Sequence, residues 1–239
     1  MRALLGLAAS LSILVFFVVP AILAGEPPTS VALVGAFAVM LVTLPLAHGF
    51  GVKTAAAALG TAAALLLTLV LADLFTDVAH LSGVSSEEAV YLRATDSVTS
   101  LQGLLLAGMV IAALGVLDDL TVSQASTVMA LRRANPALRF RSLFGEALSV
   151  GHDHIAATVN TLVLAYAGAS LPVLLVFSLA DTPLTEAVNF EAVAEAVVAT
   201  LVGSIGLIFA VPVTTALATL LALELPAARL PDAHAGHAH

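Results

Sequence analysis

Two adjacent carboxylates, Asp118 and Asp119, are the residues whose type and position most directly predict chemistry. They follow seventeen residues, 101–117, that carry no charge. At about 1.5 Å per residue this run covers about 25 Å, most of a hydrocarbon core of about 30 Å. Ionisable groups within a membrane span usually face a bundle interior, a partner or a water-filled path. The pair therefore predicts a site where a proton or a cation binds inside a membrane.

Polar residues continue beyond this pair on the same predicted helix. Ser123 follows Asp119 by one turn, and Gln124 lies beside that face. If the helix runs on to residue 131, the acids lie near the middle of the membrane. The alternative is a helix that ends at residue 117, which would make the acids solvated residues of a loop before a second, amphipathic helix.

A second polar cluster begins at His152, Asp153 and His154, and Asn160 and Thr161 follow it inside an apolar stretch. Polar side chains are therefore predicted to continue about two helical turns into the bilayer. This is the depth expected for the two aspartates, so the clusters are predicted to face each other.

Three interpretations of the second cluster remain open. In the first, an aspartate titrates and hydrogen bonds from Asn160 or Thr161 stabilise one protonation state. In the second, His152 and His154 bind a divalent metal together with the acids, which requires an unwound turn because the two histidines lie on different sides of a helix. In the third, Asp153 caps a helix and the histidines lie at headgroup level.

Composition assigns the chain to the integral membrane proteins. Of its 239 residues, 60% are hydrophobic and 10% are charged, and the mean hydropathy is +1.09. Cysteine is absent, which excludes disulfides and thiol chemistry. No phosphate-binding loop or nucleophile elbow occurs. We therefore expect no enzymatic activity, no cofactor and no nucleic-acid partner.

Hydropathy predicts an all-α, polytopic bundle within a transmembrane domain of residues 1–225. An alternative for the first apolar run is a signal peptide. The last residues, 226–239, are predicted to form a disordered cytoplasmic tail that contains His234, His237 and His239. The six predicted spans cover about residues 3–24, 31–47, 54–72, 101–121, 155–180 and 197–223.

The distribution of basic residues predicts the orientation of these spans. With both termini in the cytoplasm, seven of the eight basic residues lie on the cytoplasmic side and Arg93 alone lies outside. The sixth span contains Gly203, Gly206 and Pro212, which predict a flexible or broken helix of the kind that transporters use near their sites.

Three stretches of the sequence carry a resemblance to a known family: residues 115–126, residues 151–168, and residues 201–206 leading to 211–215. They resemble the YibE/F-like membrane proteins of bacteria. His152 stands where the family pattern has arginine, so an anion-binding role does not transfer to this position. The resemblance implies a protein of the bacterial plasma membrane, but no particular activity. A fainter similarity, resting on the two aspartates and the last span, is to half of the proton-driven exporters of the resistance-nodulation-division type and to the SecD/SecF subunits.

We therefore expect a secondary transporter or permease subunit, coupled to protons or cations, in which Asp118 and Asp119 are the coupling residues. The alternative is a non-transporting scaffold or assembly subunit that binds the helices of a partner. Expected partners are the lipid bilayer, a small solute or ion, and a second copy of the chain or another membrane protein.

Overall fold

The computed structural model describes residues 2–180 and 183–225, and every element in this part of the chain is helical. The predicted tail, 226–239, lies outside the described residues. The first span consists of two α-helical pieces that are joined by a π-helical turn, Leu14–Val18. The helices are α1 (Arg2–Ile13), α2 (Val19–Leu23), α3 (Pro28–His48), α4 (Val52–Val78), α5 (Glu87–Ala94), α6 (Leu101–Ala134), α7 (Phe140–Ala169), α8 (Leu171–Leu179), α9 (Leu184–Ala187) and α10 (Glu191–Glu224).

Within the described residues, five segments are long and apolar enough to cross a membrane: Leu4–Leu23, α3, α4, α6 and α10. The pair α7 and α8 passes the same test together, although the two helices meet at an angle of 56°. The structure thus confirms the prediction of an all-α transmembrane bundle with up to six spans.

A few contacts fix the directions of the helices. The Thr29 hydroxyl of α3 donates a hydrogen bond to the Gly103 carbonyl near the start of α6, so these two helices start together and run parallel. Antiparallel packing of α4 on α6 follows from the hydrogen bonds of Gln102 with Asp77 and of Thr61 with Thr121. Contacts of the same kind give the directions of the remaining spans. The helices α1, α4 and α7 begin at the end of the bundle where α3, α6 and α10 finish.

This arrangement separates charge between the two ends of the bundle. The end where α3, α6 and α10 finish, here called the basic end, carries Lys53 and the arginines of residues 132–141. Most of the acidic residues, among them Asp77, Glu88 and Glu191, lie at the opposite, acidic end. By the positive-inside rule, the basic end is predicted to face the cytoplasm.

The core forms where α4, α6 and α10 meet. Glycine allows the backbones to approach: a Cβ at Gly60 of α4 would lie 2.9 Å from Thr214 Cβ and 3.2 Å from Thr214 Cα on α10. Gly206 of α10 accommodates the Thr68 hydroxyl of α4 in the same way. Small residues at helix interfaces are typical of membrane bundles, because van der Waals packing replaces the hydrophobic effect between helices in lipid.

The first span contains one π-helical turn, in which the helix is wider than a regular α-helix. The Val19 N–H donates to the carbonyl of Leu14, five residues earlier. Pro20 follows at once; it has no N–H to donate, and its ring would crowd the carbonyl four residues earlier in a regular helix. The π-helical turn relieves this crowding. Next to it, Val18 fits against Gly35 of α3.

Three sequence expectations change in the structure. The helix that carries the aspartates continues to Ala134, so the alternative in which it ends at residue 117 is wrong. The break predicted at Gly203, Gly206 and Pro212 is absent, because α10 is a single helix with Pro212 inside it. The broken span is instead the fifth, which starts earlier than predicted and bends at Ser170, just before Pro172 in the first turn of α8.

Labelling of single cysteines tests the predicted orientation. The natural sequence has no cysteine, so Phe50→Cys at the basic end and Tyr91→Cys at the acidic end, both exposed, provide one thiol each. An impermeant maleimide should label Tyr91→Cys in intact cells and Phe50→Cys only after permeabilisation. The opposite pattern would show that the bundle is inverted.

Substitution of Gly60 tests the close contact between α4 and α10. Gly60→Leu should lower the free energy of unfolding by about 1–3 kcal/mol, because the new side chain overpacks against the Thr214 backbone. Thermal unfolding in detergent, followed by circular dichroism, measures this loss. The matched control is Gly108→Leu on α6, where a Cβ meets no atom within 4 Å; equal stability of the two variants would contradict the proposed contact.

Candidate functional site

A cavity of about 460 Å³ lies between α1, α3 and α6 in the half of the bundle nearer the basic end. Its walls change in polarity from one part to another. The apolar part is formed by the α1 side and by residues of α3 and α6 such as Val39 and Leu114, and the polar part contains both aspartates. The lining residues are Gly6, Leu7, Ser10, Leu11, Leu14, Ala36, Val39, Thr43, Ala47, His48, Ile111, Leu114, Gly115, Asp118 and Asp119.

Asp118 is the less exposed of the two acids. Its side chain is partly buried, and among the described residues its buried Oδ1 atom has no hydrogen-bond partner. The Thr43 hydroxyl lies close to this carboxylate but outside normal hydrogen-bond geometry, and it too lacks a partner in the described part of the chain. Thr43 is only 8% exposed, so a buried donor and a buried acceptor line the cavity without being satisfied.

Asp119 is exposed and lies at the polar end of the same cavity. The imidazole of His48, at the last residue of α3, lies within electrostatic range of Asp119 and of Lys53 at the start of α4. Among the described residues, the polar end of the cavity thus carries two carboxylates and one imidazole. Lys53 interacts electrostatically with this imidazole but is not among the lining residues.

The parallel helices α3 and α6 give the depth of the acids. Asp118 is fifteen residues beyond Gly103, which is the residue aligned with Thr29. At 1.5 Å per residue, the carboxylate lies about 22 Å beyond the level of Gly103 and about 25 Å from the start of α6 at Leu101. A hydrocarbon core of about 30 Å that begins at this level encloses the acids on its basic side, rather than near its middle as expected for a helix that continues to residue 131.

The other polar residues of α6 point to different neighbours. Gln124 is buried, and its amide donates to the Ala147 carbonyl of α7 at 2.8 Å and to the Thr215 hydroxyl of α10 at 2.7 Å. Ser123 Oγ lies 3.5 Å from His154 Nδ1. Neither Gln124 nor Ser123 lines the cavity. These polar residues, which were predicted to continue the acidic site, instead connect α6 to α7 and α10 by hydrogen bonds.

The polar residues of α7 do not meet the aspartates. Asp153, Asn160 and Thr161 lie on the exposed side of the helix, and none of them lines the cavity. The Thr161 hydroxyl donates to the Ala157 carbonyl of its own helix. The predicted hydrogen bonds from Asn160 and Thr161 to the acids are therefore not formed, because the acids face α1 and α3 while α7 packs on another side of α6.

The histidines of this segment do not form a metal site with the acids. His152 and His154 are both exposed. Within residues 2–180 and 183–225, no three His, Cys, Asp or Glu side chains come together as a metal ion requires. His154 contacts Ser123, and α7 is already helical from Phe140, well before these residues. The unwound turn that the metal interpretation required is absent.

The sequence analysis did not identify Thr43 and His48 as site residues. Both lie on α3, the helix parallel to α6, and the signal in the sequence was weak. Thr43 is one hydroxyl in an otherwise apolar span, and such residues usually hydrogen-bond within their own helix. The position of His48 in the sequence predicts an interfacial residue at a helix end. Only the packing of α3 beside α6 relates them to the acids.

Apolar spans, a mid-helix carboxylate pair and a partly open cavity between three helices together define a polytopic α-helical membrane protein with an acidic site between its helices. The family model described as YibE/F-like protein matches residues 1–224 of this chain. The chain therefore belongs to the YibE/F-like family, as its sequence motifs predicted. No curated protein and no solved structure matches it significantly.

Proposed function

We propose that this protein is a secondary transporter or permease subunit of the bacterial plasma membrane, coupled to protons or cations through Asp118 and Asp119. One observation carries the proposal: the Oδ1 atom of Asp118 is buried beside a cavity and has no partner among the described residues. A buried polar group left unsatisfied costs about 1–3 kcal/mol, and more when it is charged. Binding of a proton or a cation removes this cost.

The first span is the element best able to respond to that binding. It is the least buried of the five single spans, and it packs mainly on α3. Val18 fits against Gly35 beside the π-helical turn, whereas the cavity separates the start of α1 from α3 and α6. In our proposal the first half of this span pivots about the π-helical turn, because α4, α6 and α10 are packed too tightly to move.

The experiment uses the purified protein in liposomes that contain a pH-sensitive dye. Solutes of several classes, namely amino acids, inorganic cations and organic cations, are added under an imposed pH gradient. Asp118→Asn and Asp119→Asn should abolish any solute-dependent proton flux, because an amide neither takes up a proton nor balances a cation. The control is Asp153→Asn, whose carboxylate is exposed on α7 and whose loss should leave the flux unchanged.

Two results of that experiment would count against transport through the aspartates. Normal flux in the double variant Asp118→Asn, Asp119→Asn would show that the coupling assignment is wrong. Absence of flux in the natural protein with every solute, together with purification in complex with another membrane protein, would favour the second candidate function.

That second candidate is a scaffold or assembly subunit that binds the helices of a partner, and a specific observation supports it. Only Leu143, Ala147 and Gly151 of α7 are buried, and no residue of α8 is. The exposed side carries the Asn160 amide within an apolar stretch. An amide facing lipid lacks hydrogen-bond partners, whereas between helices it stabilises association by about 0.6–1.7 kcal/mol.

The geometry of α7 suits a second helix. Ala156 and Ala157, each one turn before Asn160 and Thr161, are small and exposed, so a neighbouring backbone can approach closely. An asparagine amide both donates and accepts, which allows Asn160 to pair with its counterpart in a second copy of the chain.

Substitution of Asn160 tests this second function. Asn160→Leu should weaken association in lipid by about 3-fold to 20-fold, the factor that corresponds to 0.6–1.7 kcal/mol. Single-molecule photobleaching of labelled protein in liposomes measures the fraction of dimers. Asn189→Leu, at an exposed amide that bonds to its own Thr185 carbonyl, is the control. Unchanged association of Asn160→Leu would remove this face of α7 as the interface.

A further inference from the structure

We infer that the cavity between α1, α3 and α6 binds a cationic amphiphile, that is, a single apolar chain with an ammonium head group. The inference rests on the proposed function, since it names the class of solute that the transporter would carry. The cavity volume of about 460 Å³ lies in the range of sites for small organic molecules. It does not accommodate a phospholipid with two acyl chains.

The distribution of polarity along the cavity favours a molecule with two different ends. The wall is about 10 Å long from Ala36 to Thr43, which lies seven positions further along α3, and the lining residues of α1 and α6 along it are mainly apolar. A polyhydroxylated or multiply charged solute would lose its hydration against this surface without gaining partners. An alkyl chain buries apolar area there instead.

The charge at the polar end selects the sign of the head group. Two carboxylates line it, and among the described residues the only other titratable lining group is the His48 imidazole on α3; the lining residues described on α1, from Gly6 to Leu14, carry no titratable side chain. An anionic head group would add like charge beside Asp118 and Asp119. A cation is attracted to both acids, and within a partly buried site this attraction is stronger than in water.

A buried hydroxyl without a normal hydrogen bond lies beside the acid and adds a second polar group that a ligand could contact. Thr43 is more than nine-tenths buried, lines the cavity beside Asp118, and has no hydrogen-bond partner within the described residues. A primary ammonium in the cavity can donate to the carboxylate and to the hydroxyl oxygen at the same time. The bound head group would thus satisfy both orphaned atoms.

The test compares three decyl compounds that differ only in head group: decyltrimethylammonium, decylammonium and decyl sulfate. Equilibrium dialysis against the full-length protein in nanodiscs measures binding, and empty nanodiscs correct for partition into lipid. Both ammonium compounds should bind at least about tenfold more tightly than decyl sulfate. In the double variant Asp118→Asn, Asp119→Asn this preference should fall to about one.

Filling the cavity provides a second variant that does not alter charge. Gly115 lines the cavity, and a Cβ there meets no atom within 4 Å, so Gly115→Leu should fold normally and weaken binding of all three compounds. Gly108→Leu, two turns earlier on α6 and equally open, should bind them like the natural protein. Circular dichroism verifies that both variants are folded.

The inference is overturned if decyl sulfate binds as tightly as the ammonium compounds, if the double variant keeps the preference, or if Gly115→Leu binds like Gly108→Leu. These failures are distinct from failure of transport, since equilibrium binding requires no proton flux. Selective binding without flux would retain the site and reject the transporter. Flux of other solutes without selective binding would retain the transporter and reject the binding site for a cationic amphiphile.

Discussion

A carboxylate withdrawn from water is the constraint on which the arrangement of this bundle depends. Asp118 lies about 25 Å along α6, at a depth where lipid offers no hydrogen bonds, and its Oδ1 atom is buried without a partner in the described residues. An intramembrane charge is tolerated only where protein or water surrounds it. The cavity between α1, α3 and α6 provides such an environment for the carboxylate. The loose packing of the first span and the position of the acids are therefore related, because the first span forms one wall of that cavity.

The remaining polar groups of the interior contribute to rigidity. The Thr61 and Thr121 hydroxyls lie 2.6 Å apart between α4 and α6, and the Gln124 amide bridges α7 and α10. These bonds, together with the glycine contacts of α4 and α10, hold the side of α6 that faces away from the cavity. One face of α6 is therefore fixed to the core, and the face with the acids borders the cavity. In the proposed mechanism, this arrangement keeps the charged site in place while the first span moves.

The fifth span shows a different consequence of the same solvent. Its exposed Asn160 leaves a side-chain amide at a surface where lipid offers no hydrogen bonds, whereas the backbone at the bend is hydrogen-bonded within the helix. The proposed transport through the cavity and the proposed association through α7 use separate surfaces, so the two proposals are compatible with each other.

The sequence by itself determined the class of protein, the family, the all-α architecture and the asymmetry of charge, because hydrophobicity and local motifs are properties of consecutive residues. It also singled out Asp118 and Asp119. Tertiary structure alone decided that these acids meet Thr43 and His48 rather than Asn160 and Thr161. Each step along a helix turns a side chain by about 100°, so residues 118, 121 and 124 point to three different neighbours, and only the packing order of the helices determines which neighbour each one meets.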